Sequence, residues 1–525
     1  MNLLKAASTV SLLTFVSRIT GLAREVLMAS YFGANALTDA FNVAFRIPNL
    51  LRRVVGEGAF SQAFVPLLAA SHAKDGDEAT HRLIDAVATV LLWVLMAITV
   101  VGVVAAPLLV WLMGEGLERT GGFEPAVVMT RWMFPYIACM SLVALAAGIL
   151  NTWRHFVVPA ATPVLLNIAS ILAMVVLTPV FKRIGILPIY SMAAGVMLGG
   201  ILQVAVQAPA LKRIGAWPNF GLTWARFRAA WAHEGVHHII NRMAPALLGV
   251  TVAQISLLIN TQIATHLEAG AASCLAYADR LMEFPSALLG VALGVVLTPQ
   301  LSAAHIKEDR HGFSDLIEWG LRQLVLVSIP CAVALLVFAK PLVAVLYHRG
   351  VFAAHAETLA KTASAVTGYG VGLLGIVSIR ILAPGYYARQ DTKTPVRIAV
   401  VVLCLTQLMN LLFVFGLHMS VAGLALSTGL GAMLNAAALL YGLWRLGNYR
   451  PAPGWGLYLA RLAFASALMG ALLVVADQRI DWVGLRAHEL LRALWMAGVL
   501  AAAGVVYFGA LLATGLDLRQ FLKRG

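Results

Sequence analysis

Residues 15–27 read FVSRITGLAREVL. Arg18, Arg24 and Glu25 stand there inside a stretch, 12–32, that is otherwise apolar enough to cross a bilayer. An arginine at the bilayer centre costs about 3 kcal/mol on insertion scales, so charges in such a place call for a function. The same chemistry recurs in two other apolar stretches. One holds Asp39, Arg46, Arg52, Arg53 and Glu57; the other holds Asp279, Arg280 and Glu283. Later stretches add Glu318, Arg322 and Arg380. A guanidinium stays charged at any cellular pH and grips phosphate oxygens in a two-pronged fork. A water-filled cavity collecting these arginines would suit an anionic, phosphate-bearing substrate. The plainer reading is ion pairing between helices or snorkelling at a membrane edge, and it weighs most on Arg46 and Arg53.

Arg18 and Arg24 lie roughly 120° apart on a regular helix at 3.6 residues per turn. Gly21 falls midway between them. Gly56 and Gly58 flank Glu57, and Pro48 and Pro285 interrupt two of the charged stretches. Glycine and proline permit bending in mid-membrane, so these five are candidate hinges, with close helix packing as the competing explanation.

The elements that carry these residues are membrane helices. The chain has 525 residues, 60% hydrophobic and only 12% charged, whereas a soluble domain is about a quarter charged. Continuous apolar runs of about 20 residues recur from end to end, which makes this an all-α polytopic membrane protein and excludes the alternating pattern of a β-barrel. Fourteen spans are expected near 8–32, 36–66, 82–113, 126–150, 157–180, 186–209, 244–266, 273–302, 315–346, 362–387, 396–417, 420–443, 457–476 and 488–514. The four cysteines, Cys139, Cys274, Cys331 and Cys404, lie far apart with neither metal nor redox spacing. The net charge of +14 is spread unevenly over the loops. Alternate loops carry about twenty and about ten basic residues, which places both termini in the cytoplasm and argues against nucleic acid as partner.

An internal repeat organises the spans. GANALTDAFNVAFRIPNLL begins at Gly33 and GAASCLAYADRLMEFPSALL at Gly270, an offset of 237 that also matches Pro48 to Pro285. GILNTWRHFVVPA (148–160) faces PGYYARQDTKTPV (384–396) at 236. An even number of spans separates the copies, so the repeats are parallel, a transporter architecture with substrate held between two lobes. The expected division is a first six-helix lobe at 1–215, an amphipathic cytoplasmic linker at 216–243, a second lobe at 244–445, two extra helices within 455–515, and a tail at 516–525.

HEGVH at 233–237 matches the H-E-x-x-H pattern of zinc proteases, in which two histidines share one helix face. No third ligand follows, so the stretch reads as an interfacial helix and no metal site is expected. No phosphate-binding loop, nucleophile elbow or dinucleotide fingerprint is present. The chain is therefore read as a transporter without a cofactor rather than an enzyme.

Four long motifs, MNLLKAASTVSLLTFVSRITGLARE, TDAFNVAFRIPNLLRRVVGEGAFSQAFVP, YADRLMEFPSALLGVALG and APGYYARQDTKTPVRIA, resemble the MurJ (MviN) lipid II flippases. These belong to the multidrug/oligosaccharidyl-lipid/polysaccharide exporter superfamily. The resemblance runs over essentially the whole chain. It implies a fourteen-helix, two-lobed fold working by alternating access in the bacterial inner membrane. The implied substrate is lipid II, the undecaprenyl-diphosphate-linked peptidoglycan precursor, with membrane lipids as surroundings and cell-wall synthesis machinery as a candidate partner. The family's cavity arginines match Arg18, Arg24, Arg52 and Arg280, and its cavity acids match Asp39, Glu57 and Glu283. Its last two helices imply a groove for the lipid tail. Some members bind sodium in the C-terminal lobe. Here Gln254, Asn260, Thr406 and Asn410 fall in the corresponding spans with no central carboxylate, a departure that favours the membrane potential over sodium as the drive. Alternatives are export of another polyprenyl-diphosphate sugar or an amphipathic drug, a metalloprotease built on HEGVH, and a non-transporting scaffold.

Overall fold

The computed structural model describes residues 3–51, 60–74 and 76–516. Arg52, Arg53, Gly56, Glu57 and Gly58 lie outside the described residues. Twenty α-helices occur among the described residues. In chain order they are α1 (Leu3–Phe32), α2 (Ala36–Leu51), α3 (Phe60–Lys74), α4 (Gly76–Val104), α5 (Ala106–Gly114), α6 (Leu117–Thr120), α7 (Phe123–Met133), α8 (Tyr136–Thr152), α9 (Val157–Arg183) and α10 (Tyr190–Arg213). They continue as α11 (Trp224–Trp231), α12 (Glu234–Leu267), α13 (Ala271–Ile306), α14 (Arg310–Val337), α15 (Ala339–Tyr347), α16 (Ala356–Tyr387), α17 (Lys393–Asn410), α18 (Ser420–Arg445), α19 (Trp455–Arg479) and α20 (Glu489–Ala513).

Ten helical segments among the described residues are long and apolar enough to cross a membrane. They coincide with the expected spans 3–6 and 9–14. The other expected spans correspond to α1, the α2–α3 region, α12 and α13. Helices α1 and α13 carry the charges that drew attention to them, and the count of fourteen is not reached on length and apolarity alone. Two expected spans are broken. The run 82–113 divides at Ala105 into α4 and α5, and 315–346 divides at Phe338 into α14 and α15. Helices α5 and α15 are each nine residues long and have a proline, Pro107 or Pro341, in the first turn. Proline is tolerated there because its missing N–H would have had no intrahelical partner.

The chain separates into two compact units, Met1–Ala272 and Ser273–Gly525. In the first, α1 lies on α9, α9 on α10, and α10 on α7 and α8; α2 packs against α5 and α7. Helix α12, which chain order assigns to the second set of six, packs here against α3, α4 and α5. In the second unit α16 is central, contacting α14, α15 and α18, while α19 joins α14 to α20. The approach of α16 to α18 is set by small residues: a Cβ on Gly372 would stand 2.0 Å from Gly429 Cα, and one on Gly375 2.5 Å from Met433 N. Such stripes let two helix backbones close up where lipid offers no hydrophobic drive between helices.

The repeat is visible in the backbone. Gly33 and Gly270 both take a positive φ, +70° and +91°. Arg154 and Gln390 do so at +61° and +59°, and Gly215 and Gly447 at +73° and +69°. The first two pairs are the ones the sequence alignment matched. Arg154 and Gln390 bear side chains, for which this conformation is uncommon, so their agreement marks a shared turn rather than a shared composition.

Candidate functional site

Helix α1 runs unbroken through Gly21. Its hydroxyls bond back to its own turns, Thr14 to Val10 O at 2.8 Å and Thr20 to Val16 O at 2.9 Å, which keeps them satisfied in an apolar setting. Asn167 of α9 donates from Nδ2 to Ser17 O at 3.0 Å and to the Thr20 hydroxyl at 3.2 Å. A Cβ at Gly21 would lie 3.4 Å from that same nitrogen. Gly21 therefore faces Asn167 at an ordinary van der Waals distance, with room for a Cβ. Pro48 and Pro285 likewise lie inside continuous helices, α2 and α13.

Arg24 and Glu25 are both buried, and Arg24 Nη2 donates to Glu25 Oε1 at 2.6 Å. Neighbouring residues do not usually face one another on a helix, so this pair needs both side chains to turn toward each other. The guanidinium stands 5.9 Å from the centre of the Phe45 ring on α2. Arg24 Nε has no hydrogen-bond partner among the described residues. The pair thus offers a buried cation, partly balanced, with donor capacity left over. Arg18, earlier on the same helix, is exposed.

In the second unit, Arg280 and Glu283 form the same kind of local pair on α13, Nη1 to Oε2 at 2.8 Å, with both side chains partly exposed. A substrate phosphate could compete with either carboxylate for its arginine.

Asp39 is placed differently. It is 1% exposed, and its Oδ2 accepts from the Gly270 backbone N–H at 2.7 Å. The start of α2 is set by Asn35, whose side-chain oxygen accepts from Leu37 N at 3.0 Å and Thr38 N at 3.2 Å, a common helix-start arrangement. Arg46 donates to the Thr261 hydroxyl and to Leu257 O on α12. Gln262 Oε1 accepts from Glu115 N at 3.1 Å. Asp39, Arg46 and Glu115 thus tie α2 and the α5–α6 turn to the far end of α12 and the turn after it.

Sequence reasoning passed over Asn167 and Thr261, neutral residues with no charge to announce them. It listed Glu25 without assigning it a role. Glu318 and Arg322 fall into a structural network. Arg322 Nε donates to Glu318 Oε1 at 2.7 Å, and Glu318 Oε2 accepts from the Tyr449 hydroxyl at 2.8 Å and Trp455 Nε1 at 3.0 Å. Burial first, then the Glu318 carboxylate, pushes the Tyr449 phenol above its usual range. In the APGYYARQDTKTP motif, Asp391 Oδ1 accepts from Thr394 N at 3.0 Å ahead of α17, and the Thr394 contacts hold this carboxyl below its ordinary value.

His233 precedes α12 in extended conformation, and its Nδ1 accepts from Gly235 N at 3.1 Å. The two histidines of HEGVH therefore do not share a helix face, and the zinc-protease geometry is absent. A cavity of about 530 Å³ lies beside them, lined by Ser71, Arg82, His233, Glu234 and His238 among others. Among the described residues no cluster of three or more His, Cys, Asp or Glu side chains could hold a metal. The preceding α11 packs on α4 through Trp93, whose ring lies 5.9 Å from Trp224 and 5.7 Å from Phe227.

The family described as "Lipid II flippase MurJ" matches residues 28–491. A Burkholderia cenocepacia protein named "Lipid II flippase MurJ" is 49% identical over 525 residues, covering 100% of both chains. A solved structure titled "Lipid II flippase MurJ, inward closed conformation" superposes with a TM-score of 0.77 at 24% identity, covering 96% of this chain and 99% of that one. An inward-facing multidrug resistance transporter of the MATE family, within the MOP superfamily, superposes with a TM-score of 0.67 at 14% identity over 82% of this chain and 94% of its own. These two structural likenesses show the fold.

Proposed function

The chain belongs to the MurJ family of lipid II flippases, and on that premise we propose that it moves lipid II from the inner to the outer leaflet of the bacterial cytoplasmic membrane. The full-length 49% identity to a relative bearing that name carries this reading. The buried Arg24–Glu25 pair, with its spare donor, supports it, because a diphosphate needs fixed cations that it can win from a local carboxylate. In this reading Arg18, Arg24, Arg52 and Arg280 bind the diphosphate, while Glu25, Glu57 and Glu283 compete for the same guanidinium groups and help release it. Gly56 and Gly58, which flank Glu57 in the sequence, are kept as hinge candidates in this reading. Helices α19 and α20 would receive the lipid tail. Both termini face the cytoplasm, and the membrane potential is the drive.

The decisive experiment is depletion of this chain from its cell, followed by measurement of the leaflet in which lipid II accumulates. Accumulation in the inner leaflet is expected. Undiminished arrival of lipid II in the outer leaflet would overturn the proposal, and movement of amphipathic drugs with no effect on lipid II would establish the drug-export alternative.

A further inference from the structure

A second group of cations lies in the second unit, where α15 packs against α20. Arg492, in the opening turns of α20, is fully buried at 0% exposure. Among the described residues its Nη1 donates to the carbonyl oxygen of His348, at 3.5 Å. Its Nε and Nη2 have no hydrogen-bond partner among the described residues. Those two nitrogens form one edge of the guanidinium, the edge whose parallel N–H bonds match two oxygens of a phosphate or carboxylate.

The carboxylate nearest in sequence does not fill that edge. Glu489 Oε2 accepts instead from Arg349 Nη1 at 3.0 Å. Arg349 Nε and His348 Nδ1 are also buried without a partner among the described residues. Arg486 and Arg492 add to burial in holding the His348 imidazole below its usual pKa, so both cations lie within electrostatic reach of it. Three guanidinium groups and one carboxylate leave a net positive cluster. Arginine cannot relieve this by losing a proton, and a charge buried without a partner is strongly unfavourable.

We infer that Arg492, with Arg349 and His348, forms a binding site for a phosphate-type oxyanion, separate from the arginines assigned to the lipid II diphosphate. Arg349 and Arg486 stand at its accessible side: the Arg349 side chain is 28% exposed and Arg486 is exposed. Around the same end of α20, Leu490, Leu494 and Trp495 are exposed apolar residues, as expected of a helix end at a membrane interface. Two sources share the required chemistry, the phosphate of a lipid headgroup and free inorganic phosphate. The site does not depend on the flipping reading, and its test does not measure flipping.

The test follows thermal unfolding of the full chain. In one arm the protein is in neutral detergent and sodium phosphate replaces sodium chloride at constant ionic strength. In the other it is in lipid discs of phosphatidylcholine, with or without phosphatidylglycerol. A rise of the midpoint with phosphate identifies a free-anion site, and a rise only with phosphatidylglycerol identifies a headgroup site. R492Q should abolish the rise or weaken the apparent affinity roughly tenfold or more, whereas R310Q, at an exposed position outside both sites, should keep it. If R492Q does not fold, R349Q at the accessible side should weaken the response. A wild-type midpoint that ignores both phosphate and phosphatidylglycerol overturns the site. So does a response that survives unchanged in R492Q or, where that variant fails to fold, in R349Q.

Discussion

The backbone N–H of Gly270 donates to Asp39 Oδ2 at 2.7 Å, joining the first turn of α2 to the turn between α12 and α13. The partners are fitted to each other. Gly270 holds φ at +91°, and a Cβ there would lie 2.5 Å from Ala34 O, so a side chain at 270 would be both strained and obstructed. The acid that the family resemblance placed in the cavity is thus buried against backbone. Asp39→Ala leaves a buried N–H unpaired, which costs about 1–3 kcal/mol. The expected outcome is a lower unfolding midpoint and slower flipping with lipid II binding retained. Loss of binding at an unchanged midpoint would return Asp39 to the substrate cavity.

Arg24 and Arg280 each sit beside a carboxylate one or three residues away. Alanine at either position should abolish flipping while the protein reaches the membrane at normal level. Lysine supplies the charge without the fork and should rescue only partly. Glu25→Gln should tighten lipid II binding and slow its release. Normal flipping by either alanine variant would remove the arginines from the mechanism.

The loop-charge asymmetry predicts opposite labelling of two exposed sites. With the four native cysteines replaced, a cysteine at Glu118 should react with an impermeant thiol reagent outside intact cells, and one at Arg213 should not. The converse pattern would invert the proposed topology.

Glu234 stands where a zinc protease would keep its general base, but the preceding His233 is spent on the Gly235 N–H. Glu234→Ala should leave flipping unchanged. Loss of activity at normal protein level would reopen a catalytic role for HEGVH.

Lipid II is anionic, and a bacterial membrane is negative inside. Each net negative charge carried outward gains about 2.3 kcal/mol per 100 mV, and arginines returning unloaded move in a direction the same potential favours. Collapsing the electrical potential at a fixed pH gradient should stop flipping in reconstituted vesicles. Removing sodium, or the pH gradient alone, should not. A rate that tracks sodium and ignores voltage would show an ion-coupling site.

Several features were legible from residues alone, and each for a local reason. Apolar runs the length of a bilayer can only be helices, because lipid offers a backbone no other hydrogen-bond partner. The repeat could be read because a left-handed turn recurs at fixed spacing, as Gly33 and Gly270 and again Arg154 and Gln390 show. The charged stretches were conspicuous because an ion inside a membrane segment is costly.

What each charge does was decided by contacts far apart in sequence. Asp39 and Glu25 are both acids in apolar surroundings. One meets a backbone N–H more than two hundred residues away and the other meets the next side chain. Gly21 has Asn167 of α9 beside it, a neighbour that nothing in its own stretch of sequence announces. Arg492 carries no motif at all. Its burial, and the two nitrogens left without a partner among the described residues, follow from how α20 packs beside the end of α15, with Glu489 engaged by Arg349. Spacing along a chain determines which side chains share a helix face, but solvation and pairing are set by whatever the neighbouring helices bring, and that is settled only when the helices pack.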